Sequence, residues 1–183
     1  MRGSEQVAAI CYRLTKGGIE FLLVRTRGER WTFPKGSVES GLTHAQAAAL
    51  EAFEEAGVHG RIEDAPFARY VRIKPGYNRH SGDIEVIINA YLCEVSRLVR
   101  PEESDRNPTW FSAEKAKRRL REDRSSDYGD DLARIVDRAV VRIQRLYRQG
   151  TTVVRQRKAQ IIEIDDARVS APRTDSRKKM LAP

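Results

Sequence analysis

The sequence predicts an α/β fold, and three observations carry the prediction. Strand-sized apolar runs recur through the first hundred residues. An alanine-rich segment, "THAQAAALEAFEEAG", interrupts them with helical spacing. A longer segment after Asp127 repeats its apolar residues every three or four positions for about four turns.

Taken in order, "QVAAICYRL" and "EFLLVRTR" read as two strands joined by a turn at Lys16, Gly17 and Gly18. "ERWTFPKGSVESG" is a loop rich in Pro and Gly. Thr43 then opens a helix, because Thr43 and Gln46 have capping-box spacing, and Gly57 is a C-terminal stop. "FARYVRIK" and "IEVIINAYLCEV" are the next strands, with the polar turn "PGYNRHSGD" between them. "PEESDRNPTWF" is irregular, and "SAEKAKRRL" is a short helix with Ser112 as its cap. The long helix carries Leu132, Ile135, Val136, Ala139, Val140, Ile143, Leu146 and Tyr147 on one stripe, Arg on the other face, and Gly150 at its expected end. Beyond it, "TTVVRQRKAQIIEID" reads as a strand pair or an edge strand, and the last residues as a disordered tail. The expected organisation is one domain over residues 1–150 and a basic extension over 151–183.

Composition narrows the classes. A chain of 183 residues, 40% hydrophobic and 33% charged, suits one globular domain with its own core. The longest apolar stretch, Val86 to Val95, contains Asn89 and Glu94 and is far shorter than a membrane span, so no membrane partner is expected. The opening residues have no signal-peptide core, and the expected location is the cytoplasm. Cys11 and Cys93 lie in strand-like runs and are read as buried reduced thiols, with no zinc spacing. The net charge of +8 is uneven: residues 1–111 hold 15 basic and 15 acidic side chains, whereas 112–183 hold 19 and 11. A basic C-terminal part points weakly to a polyanionic partner, and solvated helix faces with a basic tail account for it as well.

The alanine-rich helix holds the chemistry. At 100° per residue, Glu51, Glu54 and Glu55 share one face, while Ala45, Ala48, Ala49, Ala52 and Ala56 occupy the adjoining one. Small side chains let a helix sit close to a flat surface, which leaves the carboxylates at the edge of that contact. Like charges three and four apart repel, and the helix has no basic residue at i±3 or i±4 to offset them. They also sit toward the helix C-terminus, where the dipole disfavours anions. A hard divalent cation, Mg²⁺ or Mn²⁺, is the natural counter-charge, and an exposed acidic patch is the alternative. Upstream, "WTFPKG" ends in a glycine turn, and Lys35 is suited to meet a phosphate.

Gly36, Glu51, Ala52, Glu54, Glu55, Gly57 and Val58 fall in register with a 23-residue box, and here the chain resembles the Nudix hydrolase family. The similarity extends over roughly residues 5–148, including the later "TWFSAEKA". Two positions depart from the box: Leu42 stands in place of its first Glu and Leu50 in place of its Arg. In the family that pair is expected to brace the loop against the helix. Two leucines replace an ion pair by apolar contact, so the brace is read as exchanged and not broken.

The resemblance implies an α/β/α sandwich in which a mixed, curved sheet is flanked by the Glu-bearing helix and the long C-terminal helix. It also implies hydrolysis of a nucleoside diphosphate linked to another group. Glu51, Glu54 and Glu55, with the Gly36 carbonyl, would hold the metal. Glu54 is the first choice for the general base, Glu51 the second, and Glu103 or Glu102 in "PEESD" would supply one from a distant loop. Arg25, Arg27, Arg30 and Lys35, followed by Arg72, Lys74, Arg79 and His80, are the candidate phosphate contacts, with Arg25 and Arg27 two apart on one strand face. Trp31, Tyr70 and Tyr77 are candidates to stack on a base, with a core role for Trp31 as the alternative. "RWTFPKG" is similar to the diadenosine and diphosphoinositol polyphosphate branch. The expected partner is therefore a small polyphosphate. A non-catalytic nucleotide- or RNA-binding module is the rival reading, and a homodimer stays open.

Overall fold

The computed structural model describes residues 5–74 and 82–169, with side chains described as far as Gln149. The strands are β1 (Glu5–Thr15), β2 (Gly18–Arg25), β3 (Trp31–Thr32), β4 (Lys35–Ser37), β5 (Val58–Ile62), β6 (Ala68–Lys74), β7 (Ile84–Leu98) and β8 (Thr109–Ser112). The helices are α1 (His44–Ala56), α2 (Ala113–Arg121) and α3 (Ser126–Val169). The chain divides into two compact units between Ile143 and Gln144.

The strands form one mixed, curved, unclosed sheet in the order β3-β2-β1-β7-β5, with β4 on β1, β6 on β7 and β8 on β2. Among the described strands only β1 and β7 run parallel, from the Glu5–Ile87 pair to the Tyr12–Glu94 pair. β1 explains why these two lie at the centre: Val7 to Tyr12 are buried without alternation. A strand covered on both faces reads as a continuous apolar run. Val7, Ala9 and Cys11 face the core that α1 closes, together with Leu22, Val24 and Tyr91. Ala8, Ile10, Phe21, Leu23 and Leu92 are buried as well, and α2 contributes Ala116 and Leu120, and α3 Leu132, Val136, Ala139 and Ile143, to the buried set. The α/β/α sandwich expected from the resemblance is therefore present.

α1 is capped as its sequence predicts. Gln46 N–H donates to Thr43 Oγ1 at 3.2 Å, and Thr43 N–H donates to Gln46 Oε1 at 2.9 Å. Gly57 takes a left-handed conformation with φ 64°, and its N–H donates back to the last carbonyls. A Cβ at Gly57 would also lie 2.0 Å from Val99 O, so both backbone conformation and space require glycine there. Ala45, Ala48, Ala52 and Ala56 are buried against the sheet and Ala49 is half-buried. Ala47, on the carboxylate side of the helical wheel, is buried too, so the contact face is wider than the alanine stripe.

Elsewhere the structure corrects the sequence reading. The loop "ERWTFPKGSVESG" contains β3 and β4, and β5 follows α1 directly. These strands are too short to show periodicity, and pairing with β1, β2 and β7 decides them. The strand expected after Gly150 is helix: α3 continues to Val169. Glycine inside a helix costs only about 1 kcal/mol relative to Ala, and it stops one only when it adopts the left-handed cap. The cluster of Thr and Val after Gly150 suggests a strand by propensity alone. Cys11 and Cys93 are free and buried, as expected. Among the described residues no helix is long and apolar enough to cross a membrane.

Candidate active site

The three carboxylates of α1 each meet a different neighbour. Glu55 is 3% exposed. Its Oε1 pairs with an Arg106 Nη at 2.8 Å, and its Oε2 accepts the Lys35 backbone N–H at 3.1 Å. Glu51 lies against β4, and a Cβ built on Gly36 would stand 1.7 Å from Glu51 Oε1. Glycine is thus needed there so that backbone and carboxylate can touch. Glu54 is half-buried, and its backbone carbonyl accepts the Glu103 N–H at 3.0 Å. The Glu103 carboxylate in turn holds Arg106 Nε at 2.5 Å.

All three glutamates are pushed above the ordinary carboxylate value. For Glu51 the rise reaches about 7; burial is the main cause, Glu55 and Glu54 add to it, and Lys35 opposes it. Glu54 is raised by burial and then by Glu102, Glu39 and Glu103. Glu55 is raised by burial despite Arg106 and the Lys35 N–H, which both favour its charged form.

Among the described residues no three acidic, His or Cys side chains are gathered closely enough to hold a metal ion. The site groups are instead spread over separate partners: Glu55 on Arg106, Glu51 on Gly36, Glu54 beside the loop of Glu102 and Glu103. The donor set nonetheless fits a hard cation in kind. It consists of carboxylate oxygens, and Glu51 and Glu54 have no ion-pair partner among the described residues while repelling their neighbours.

A pocket of about 780 Å³ is lined by the turn after β2, Lys35, β6 and the start of α3. Arg30, Lys35, Arg72 and Arg124 line it, with Tyr128, Asp127 and Asp131 on the α3 side. Asp131 is ion-paired with Arg134. The four cations have no ion pair among the described residues, in contrast to Arg13, Arg61, Arg121 and Arg142 elsewhere, which all do. Burial and Arg72 hold the Lys35 ammonium below its ordinary value. Arg124 is fixed by its own donations to Trp31 O at 2.5 Å and Leu120 O at 3.0 Å. A cluster of like charges with fixed donors favours an anion carrying several charges. Lys35 joins the two halves of the site: its side chain lines the pocket and its N–H holds Glu55.

The sequence-predicted contacts divide accordingly. Arg30, Lys35 and Arg72 line the pocket; Lys74, at the end of β6, acts on Lys35 electrostatically without lining it. Arg25 is taken up elsewhere, paired with Glu29 at 2.7 Å and stacked on Trp31 at 4.8 Å. Arg27 is exposed in the turn after β2 and does not share a strand face with Arg25, because β2 ends at Arg25 and Thr26 N–H bonds back to Arg30 O. Trp31 is a core residue, edge-on to Phe111 at 4.9 Å. Arg79, His80 and Tyr77 lie outside the described residues. Leu42 and Leu50 line one open groove with Phe53, Val58 and Cys93, so both side chains reach the same surface. Arg106 and Arg124 were missed. Both sit in irregular segments with no periodic signal, and only the fold brings them to the site.

A family model described as "NUDIX domain" matches residues 4–130. Among solved structures, an Ap4A hydrolase of C. elegans, crystallised as a binary complex, matches with a TM-score of 0.55 and 22% identity over 77% of this chain and 98% of that one. The NUDIX domain of Shewanella oneidensis NrtR, crystallised with ADP ribose, matches at 0.59 and 12% identity over 78% and 90%. A NUDIX hydrolase from Nitrosomonas europaea matches at 0.53 and 19% identity over 69% and 84%. The matched span contains the box carboxylates, Gly36 and the cationic pocket save its last residue, Asp131. The chain belongs to the Nudix family, whose members hydrolyse pyrophosphate bonds.

Proposed function

We propose that the protein, through residues 1–150, is a Mg²⁺-dependent pyrophosphohydrolase of a (di)nucleoside polyphosphate or a diphosphoinositol polyphosphate, acting in the cytoplasm. One observation carries this reading: a pocket lined by four cations without carboxylate partners among the described residues meets the carboxylate helix at Lys35. Arg30, Arg72 and Arg124 would bind the phosphates that are not cleaved, and Lys35 the one nearest the scissile bond. Glu51, Glu54 and Glu55, with the Gly36 carbonyl, would hold Mg²⁺, with Mn²⁺ as a substitute. When bound, the cation supplies charge neutralisation and a more acidic water. Glu54 is the proposed base, since Glu55 is committed to Arg106 and Glu51 to Gly36, while Glu54 has no ion pair among the described residues. Glu103 is proposed as its support, because its N–H holds the Glu54 carbonyl and its carboxylate orients Arg106.

The test is release of phosphate or pyrophosphate from diadenosine tetraphosphate, ADP-ribose and diphosphoinositol polyphosphates, with Mg²⁺ or with chelator. We expect metal-dependent turnover that falls at least a hundredfold in Glu54→Gln. No metal-dependent turnover across the panel would sink the enzyme reading. RNA binding with a steep salt dependence in its place would favour a binding module.

A further inference from the structure

Tyr70 is 4% exposed, and its hydroxyl has no hydrogen-bond partner among the described residues. A buried hydroxyl left unpaired costs on the order of 1–3 kcal/mol, and phenylalanine would fill the same space without that cost. The location is specific. Tyr70 lies in β6 opposite Ile88, and on the pleat it shares a face with Arg72 and Lys74, with successive Cα atoms of that row roughly 7 Å apart. Its electrostatic neighbours are Tyr128, Arg72 and Arg124, all lining the cationic pocket, and Glu55 of the carboxylate helix. Its ring lies 6.4 Å from that of Tyr128. The hydroxyl is therefore a buried neighbour of both halves of the site, behind the residues that line the pocket.

We propose that the Tyr70 hydroxyl is a substrate-positioning donor, which bonds a non-bridging oxygen of the phosphate chain between the Arg72–Arg124 end of the pocket and Glu55. This rests on the pocket being the polyphosphate site. Burial pushes the phenol well above its ordinary value, so the group stays protonated and donates. A neutral donor suits this position, because it contacts phosphate without adding a charge next to Glu55. The ligand chemistry that would satisfy it is an anionic oxygen reaching it from the neighbouring cation-lined pocket.

The experiment uses inorganic tripolyphosphate as the probe, in metal-free buffer, with binding measured by calorimetry and melting by a thermal scan. Wild type, Tyr70→Phe and Arg72→Gln are compared. Tyr70→Phe is expected to melt at or above the wild-type temperature and to bind tripolyphosphate about tenfold more weakly, the loss of one hydrogen bond to a charged acceptor. Arg72→Gln is expected to bind more weakly too. If Arg72→Gln weakens binding and Tyr70→Phe does not, the role of Tyr70 is overturned and the pocket reading stands. If Tyr70→Phe melts lower than wild type, its hydroxyl serves the fold and the role is again overturned. If Arg72→Gln binds as well as wild type, the pocket reading fails and this inference with it.

Discussion

The position of Glu51 depends on an atom that Gly36 lacks. An added Cβ would collide with the end of the Glu51 side chain, 1.7 Å from Oε1, and its three nearest neighbours all belong to that carboxylate. A flexible side chain can swing away cheaply, so Gly36→Ala should fold with a melting temperature within a few degrees of wild type. Its turnover should fall about a hundredfold, because a misplacement of about 1 Å is costly at a reacting centre. Parallel melting curves and kinetics check both halves of this prediction. Arg106 is the opposite case. Its side chain is 17% exposed and its guanidinium neutralises Glu55, so Arg106→Ala leaves a buried carboxylate unpaired. A loss of about 3 kcal/mol is expected in urea unfolding, partly recovered in Arg106→Lys. α1 has no basic residue of its own beside Glu55, and Arg106 supplies that counter-charge from the loop before β8.

Among the elements, α1 is the most constrained. It lies on β1, β4, β5 and β7 through alanines, and Ala48, Ala52 and Ala56 are completely buried. A larger side chain there cannot be absorbed by rotation and must lift the helix. Ala52→Leu should therefore lose roughly 1–3 kcal/mol by denaturant titration and should also lower turnover, since Glu51 and Glu55 move with the helix. The same substitution at half-exposed Ala49 should be near neutral, which makes it the control. β6 and β7 show a different economy. Val71, Ile73 and Ile87 are exposed on one face, while Tyr70, Arg72 and Lys74 occupy the other, and Val71, Arg72 and Ile73 line the cationic pocket.

For the whole molecule, the raised carboxylates of α1 are expected to make stability depend on pH, and on Mg²⁺ if they bind it as proposed. The folded protein raises Glu51 from its ordinary 4.5 to about 7, so in that window the folded state binds the proton more tightly than the unfolded chain. Stability is then greatest below the ordinary value, declines as pH rises through 7, and levels off above it. For a half-buried group the screened effect is on the order of 1–2 kcal/mol. Urea midpoints of the metal-free protein at pH 5 and pH 8 should show this fall, Glu51→Gln should reduce it, and Mg²⁺ at pH 8 should reverse it. A midpoint indifferent to Mg²⁺ would count against the carboxylates as the metal site.

Much of this was legible in the chain. The capping box at Thr43 and Gln46, the stop at Gly57, the continuous apolar run of β1 and the triad spacing of Glu51, Glu54 and Glu55 are local, and local chemistry determines them. The order of the strands, the short pairings of β3, β4 and β5, and the continuation of α3 past Gly150 were not, because pairing and packing partners distant in sequence decide them. The same holds for the site. Sequence spacing put three carboxylates on one face, but that Glu55 is the one paired with a cation among the described residues was settled by the fold. Arg106 comes to Glu55, Lys35 bridges helix and pocket, and Arg25 is lost to Glu29 and Trp31. A residue's chemistry is written in its type and its near neighbours, whereas its counter-charge is a matter of distance in space, which only the tertiary structure sets.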